Sequence, residues 1–171
     1  MSIDVFSFLK RSDLCRGFSD HEISELKGCA QLLEVSQGHV LFKKGDLADA
    51  LYLIGQGAIE IRLPAGAHEE TIARLGENAV LGEVGILTDQ IRSATAVAVL
   101  KTTLLKMNRG ALERFLSEGR LGAFKLMYQI AKILSFRLRQ MDEAFANMLG
   151  QTQRPHELNQ LRARLQADWP F

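Results

Sequence analysis

The chain has 171 residues, 47% of them apolar and 24% charged, with a formal net charge of +1. That composition suits one globular domain with a sizeable core and some appended structure, and it excludes the broad basic field that would hold DNA, RNA or an anionic membrane surface. Two cysteines, Cys15 and Cys29, support neither a disulfide framework nor a four-cysteine metal site and read as idle or buried thiols.

In chain order, the opening MSIDVFSFLKRSD holds an apolar stretch broken by Asp4 and Ser7, with no small-residue cleavage site, so no signal peptide is expected. Nowhere does an uncharged apolar run approach the ~18 residues of a membrane span, and the expectation is a soluble, cytoplasmic protein. FSDHEISELKGCA opens a helix: Ser19 and Glu22 form a capping box, Phe18 and Ile23 stand in a staple relation, and Gly28 ends it. From Leu32 to Met107 the texture is that of short strands, LLEVS, HVLF, ALYLI, GAIEIRL, ETIARL, ATAVAVL and TTLLKM, separated by glycine-bearing turns. Ile59, Ile61 and Leu63 alternate with Ala58, Glu60 and Arg62. This spacing predicts an all-β sandwich or barrel over about 31–107.

After Asn108 the period becomes helical, with Ala111, Leu112, Phe115 and Leu116 on one face and a break at Gly119 and Gly122. A long helix is predicted from about Leu121 to Leu149. Its Phe124, Met127, Ala131, Leu134, Leu138, Met141, Phe145 and Met148 form a heptad seam suited to a second copy, while Ile130 and Ile133 widen the stripe enough for a helix lying on the barrel instead. The domain is therefore drawn as 1–149, with helices at about 1–30 and 108–149 flanking the barrel. Residues 150–171 are read as a linker, GQTQRP, and a short polar helix carrying Leu158, Leu161 and Leu165 on one side.

One loop carries chemistry. In GEVGILTDQIRSATA, residues 82–96, Gly82 lets a ligand or a backbone approach closely. If the residues from Glu83 through Val84 and Gly85 open a helical turn, their free N–H groups attract an anion. Arg92 brings a permanent charge matched to phosphate oxygens, and Glu83 an acceptor for a ribose hydroxyl. No Gly-rich loop with a following Lys-Ser/Thr and no acidic cluster for magnesium accompanies them, which argues for a single negative charge and not a triphosphate. On composition alone, a simpler reading stands beside this one: Glu83 and Arg92 pair with each other and pin the loop.

GEVGILTDQIRSATA resembles the phosphate-binding cassette of cyclic nucleotide-binding domains, F-G-E, small or apolar residues, L, a short variable stretch, then R-(S/T/A)-A. Gly82, Glu83, Leu87, Arg92, Ser93 and Ala94 fit it, with Leu81 in place of the usual aromatic. Upstream, GHVLFKKGDLADALYLIGQGAIEI is similar to the family's strand-turn-strand signature through Gly38, Gly45, Asp46, Asp49, Tyr52, Ile54 and Gly57. The resemblance covers roughly residues 10 to 148. It implies a mainly β fold, a jelly-roll barrel with an N-terminal helix and C-terminal B and C helices, and a cyclic nucleotide inside the barrel. Gly82 and Glu83 would face the ribose, Arg92 the cyclic phosphate, and Ser93 the phosphate or the base, with Ile61, Ile72 and Leu75 as barrel wall. Activator-like members carry a Thr-Ser pair on the C helix that contacts adenine. An ungapped match puts Met141 and Asp142 there, and Asp142 is either an acceptor for guanine or an exposed helix residue.

His21, His39, His68 and His156 are scattered without metal spacing, Gly55-Gln56-Gly57 reads as a turn, and no nucleophile has an evident partner. No metal, cofactor or catalysis is expected. The 22 residues after Leu149 are too few for the DNA reader of activator-type factors, and Trp169 near the end reads as a terminal residue, or as a cap on a base or a partner. The expectation is a non-enzymatic sensor of cyclic AMP, with cyclic GMP as the alternative, signalling through its C-terminal helices to a second copy or an unidentified protein. A nucleotide-free dimerisation scaffold with the same fold is the rival reading.

Overall fold

The computed structural model describes residues 4–88 and 91–151, the last four by backbone alone. The short polar helix expected near Leu158, Trp169, and the side chain of Met148 in the expected seam lie outside the described part. The chain divides into two compact units, one up to Ile130 and one from Ala131.

Local capping starts the helices of the first unit. Asp4 accepts from the N–H groups of Phe6 and Ser7 and opens α1, Val5–Arg11. The expected capping box is formed, Ser19 and Glu22 each holding the other's backbone N–H at the start of α2, Asp20–Lys27. Asn108 accepts from Ala111 N–H and opens α4, Arg109–Ser117, whose Leu112 and Phe115 are buried. A six-residue helix, α3, runs from Glu83 to Thr88, and α5 runs from Leu121 to Gln151 through the division between the units.

Eight strands lie between these helices: β1 Ala30–Val35, β2 Val40–Phe42, β3 Ala50–Gln56, β4 Ile59–Ala65, β5 His68–Leu75, β6 Val80–Leu81, β7 Thr95–Ala98 and β8 Thr102–Asn108. They form two antiparallel sheets, ordered β1-β8-β3-β6 and β2-β7-β4-β5. First pairs with last, second with seventh, third with sixth and fourth with fifth. A long hairpin rolled on itself gives this order, which is the jelly roll. Sequence periodicity anticipates seven of the eight strands. The two-residue β6 is too short to show alternation.

The sheets face each other across a core of Val35, Ala50, Tyr52, Ile54, Ile59, Leu81, Ala96, Ala98 and Leu104, against which Leu33, Phe42, Ile61 and Leu75 pack. On the other face of the first sheet, Leu51, Leu53, Leu105 and Met107 are fully buried, with α1 and α2 against β1 and α4 against β8. Cys15 and Cys29 are free and buried there, and burial pushes both thiols up to about 11.

The first turn of α5 is held by α2. Glu25 Oε2 accepts from Gly122 N–H at 3.0 Å, and Lys125 Nζ lies 2.6 Å from the buried Glu22 carboxylate. That hydrogen bond, with those from Ser19, keeps the Glu22 carboxyl below its ordinary range. Up to Ile130, α5 buries Ala123, Leu126 and Ile130 completely and leaves Phe124 and Tyr128 exposed. Its core face is thus offset from the expected seam. Beyond Ala131, Leu138, Met141 and Phe145 of that seam are exposed as well.

Candidate functional site

Two sequence stretches nearly 50 residues apart meet at Arg92. In KKGD, Lys43 N–H donates to Asp46 Oδ2 at 2.8 Å and Gly45 takes φ +93°, a tight turn between β2 and β3. Gly45 N–H then donates to Arg92 O at 2.9 Å, and Arg92 N–H to Asp46 O at 2.8 Å. Leu47 forms a bridge with Ile91 beside them. The turn therefore clamps the arginine's backbone from both sides before its side chain is placed.

That side chain is only 2% exposed. Its Nη2 donates to Ala50 O at 2.7 Å and to Asp49 Oδ1 at 3.2 Å, and its Nη1 to Gly82 O at 3.3 Å. The guanidinium carbon lies 4.2 Å from the centre of the Phe42 ring and 5.7 Å from that of Tyr52, within cation–π range of both. Nε has no partner, and among the described residues it is the one buried side-chain nitrogen or oxygen without one. Buried polar groups are almost always satisfied, so a charged donor held this way is suited to an anion.

Gly82 makes the close approach possible. Its φ is +81°, and a Cβ there would press on the Arg92 guanidinium and lie 3.0 Å from Ala50 O. Glu83, 5% exposed, follows as the first residue of α3, with Gly85 buried and Val84 exposed. Arg109 Nη1 reaches Gly85 O at 3.5 Å. Ala94 is buried, and Ser93 is exposed beside Arg92.

The arginine's carboxylate partner is Asp49. The second Asp49 oxygen accepts from Lys106 Nζ at 2.9 Å, so one carboxylate is shared by two cations. Partial burial pushes the Asp49 carboxyl up, but the Lys106 hydrogen bond and the charges of Lys106 and Arg92 outweigh it and hold it below the usual range. The same bond raises Lys106, and burial raises Tyr52.

Ile61 and Leu75 pack against the inner cluster, as expected of a barrel wall. Ile72 does not: it is 56% exposed. Ile61 pairs with Ala73 and Arg62 with Thr71, which leaves Ile72 as the extra residue of a bulge and removes it from the wall. Asp142 lies in the second unit, exposed on α5. Sequence alone does not single out Asp49, Lys106 and Phe42 as site residues. Asp49 fits the upstream signature, but nothing local in the chain ties it to Arg92.

The family model described as "Cyclic nucleotide-binding domain" matches residues 32–118, half of the chain, and spans both halves of this site. The chain belongs to the cyclic nucleotide-binding domain family. It is 34% identical over 135 residues to the "Cyclic AMP receptor protein" of Thermus thermophilus, covering 78% of this chain and 61% of that protein. A crystal structure of the Thermus thermophilus catabolite activator protein superposes with a TM-score of 0.69 at 31% identity, over 80% of this chain and 63% of that one. A cyclic nucleotide-binding domain from Methylobacillus flagellatus superposes at 0.73 with 26% identity, over 88% of this chain and 84% of that one. The domain thus spans about three fifths of its Thermus relative. Its two packed sheets with flanking helices are the fold these structures share with it. No helix among the described residues is long and apolar enough to cross a membrane, and none of their His, Cys, Asp and Glu residues cluster as a metal site.

Proposed function

We propose that this domain is a non-enzymatic cytoplasmic sensor that binds one cyclic nucleotide, cyclic AMP, between its sheets and passes the signal on through its C-terminal helices. The observation that carries the reading is the buried Arg92 guanidinium, held by Asp49, Ala50 and Gly82 with Nε still free to donate. In this reading Arg92 and Ser93 take the cyclic phosphate, Gly82 and Glu83 the ribose, and Ile61 and Leu75 part of the wall around the base, with Asp142 as the residue that a cyclic GMP alternative would use. The name of the Thermus relative favours cyclic AMP. A scaffold that binds no nucleotide has no need for a buried arginine stacked on Phe42 and clamped by a separate turn.

Saturating cyclic AMP is expected to raise the melting temperature, since ligand at about 100 times Kd adds about 2.7 kcal/mol of stability. Cyclic GMP should do so less. No shift with either nucleotide at millimolar concentration would remove the reading and leave the scaffold in its place.

The output is proposed to run through a homodimer along α5, because Leu138, Met141 and Phe145 are exposed apolar residues on one helix and a second copy is the simplest symmetric cover for them. Leu138→Asp, which puts an unpaired charge in that seam, is expected to convert a dimer to a monomer in light scattering after size exclusion. A wild type that is monomeric at tens of micromolar would refute the dimer.

A further inference from the structure

We propose that Asp49 sets the charge the site accepts, so that the domain selects a cyclic phosphodiester over the phosphomonoester of the same nucleoside. The inference rests on the cyclic nucleotide reading above and adds a selecting residue to it. Around Arg92 the structure brings together two cations and one carboxylate: Asp49 Oδ1 lies 3.2 Å from Arg92 Nη2, and Asp49 Oδ2 lies 2.9 Å from Lys106 Nζ. Counted as formal charges, this triad carries +1. A cyclic phosphate, with one negative charge, brings it to neutrality.

A 5′-phosphomonoester carries close to two negative charges above its second pKa of about 6. Bound at Arg92, it would leave the triad with a net negative charge, and its second charge would lie against the Asp49 carboxylate. Arg92 is 3% exposed, so on its side water screens that repulsion little. Asp49 itself is half exposed, which moderates the repulsion without removing it.

The ionisable groups close to the Asp49 carboxylate are Arg92 ahead of β7, Lys106 on β8 and Tyr52 on β3. Lys106 and Tyr52 are both shifted upward, so they keep their protons at neutral pH. The two cations hold the Asp49 carboxyl below its ordinary range. Within the triad and its ligand, the charge that changes between about pH 5 and pH 8 is therefore the phosphomonoester's own.

The experiment measures affinities of the whole chain for cyclic AMP and for adenosine 5′-monophosphate, at about pH 8 and about pH 5, in wild type, Asp49→Asn and Lys106→Met. Wild type should prefer cyclic AMP strongly at the higher pH. Asp49→Asn should narrow that preference by about tenfold at pH 8, the scale of one unit charge a few ångströms from the phosphate in a partly screened site. It should change the preference little at pH 5, where both ligands are monoanions. Lys106→Met, which removes a cation, should widen the preference at pH 8 and keeps the proposal testable if Asp49→Asn fails to fold. A ratio that Asp49→Asn and Lys106→Met leave unmoved, or move equally at both pH values, overturns the proposal even though cyclic AMP still binds. If wild type binds neither compound, it is the cyclic nucleotide reading itself that fails.

Discussion

Arg92→Ala is expected to weaken cyclic nucleotide binding by roughly 30-fold to several thousand-fold, because truncating one member of a desolvated, hydrogen-bonded charge pair costs ~2–5 kcal/mol. The burial of the guanidinium and its free Nε place the effect at the upper part of that range. Arg92→Lys should rescue little. An ammonium cannot donate to Ala50 O, Gly82 O and Asp49 while presenting a further donor in the same plane, nor stack on Phe42 as a flat guanidinium does. Titration of each variant, with far-ultraviolet circular dichroism to show that it is folded, separates this loss from instability. Ala50 O and Gly82 O also lose a charged donor in Arg92→Ala, so some drop in melting temperature is expected. An alanine variant that is folded and binds within threefold of wild type would remove Arg92 from the phosphate site.

Gly82→Val should damage stability and binding together. The residue sits at φ +81°, where a β-branched side chain is a conformational outlier, and its Cβ would press on the Arg92 guanidinium and on Ala50 O at 3.0 Å. The left-handed backbone costs roughly 1–2 kcal/mol and the crowding roughly 1–3 more, so a loss of about 3 kcal/mol in denaturant unfolding is expected. Affinity should fall at least as far as in Arg92→Ala, because the displaced guanidinium no longer meets the ligand. Gly76→Ala is the control: a Cβ there meets nothing within 4 Å, and it should be neutral in both assays. Equal stability of Gly82→Val and wild type would mean that the glycine has room to spare.

Local sequence carries part of this site and not the rest. The cap at Ser19, the strand alternation of β4, and the cassette from Gly82 to Ala94 are written in consecutive residues, and the structure forms the cap, the strand and the turn of helix after Gly82. What escaped was set by pairing across the chain. Asp49 lies 43 residues from Arg92 and 57 from Lys106, and no periodicity links such positions; only the jelly-roll order brings β3, β8 and the loop ahead of β7 together. Ile72 was misplaced for a related reason. A single bulge opposite the Ile61–Arg62 step resets the alternation of β5, and a one-residue slip exchanges the two faces of a strand. The seam on α5 was legible as a repeat, but which part of the helix surface the core takes, Ala123, Leu126 and Ile130, depends on how α2 holds its first turn through Glu22 and Glu25.

The clamp on Arg92 also gives a physical reason for the two motifs to occur together. KKGD supplies the backbone partners of Arg92, and β3 begins with the carboxylate and the carbonyl that take its side chain. Neither stretch makes the site alone. A cassette without the turn would leave the guanidinium free to swing into solvent, where its charge is worth far less to a phosphate.

Calorimetric titration of the purified chain with cyclic AMP and cyclic GMP tests whether this fold binds one cyclic nucleotide through Arg92. Two temperatures should be used, so that a heat near zero at one of them is not taken for absence of binding. Saturable binding of one nucleotide per chain, tighter for cyclic AMP and lost in Arg92→Ala, is the expected result. A folded wild type that takes up neither nucleotide at millimolar concentration, at either temperature, would contradict it.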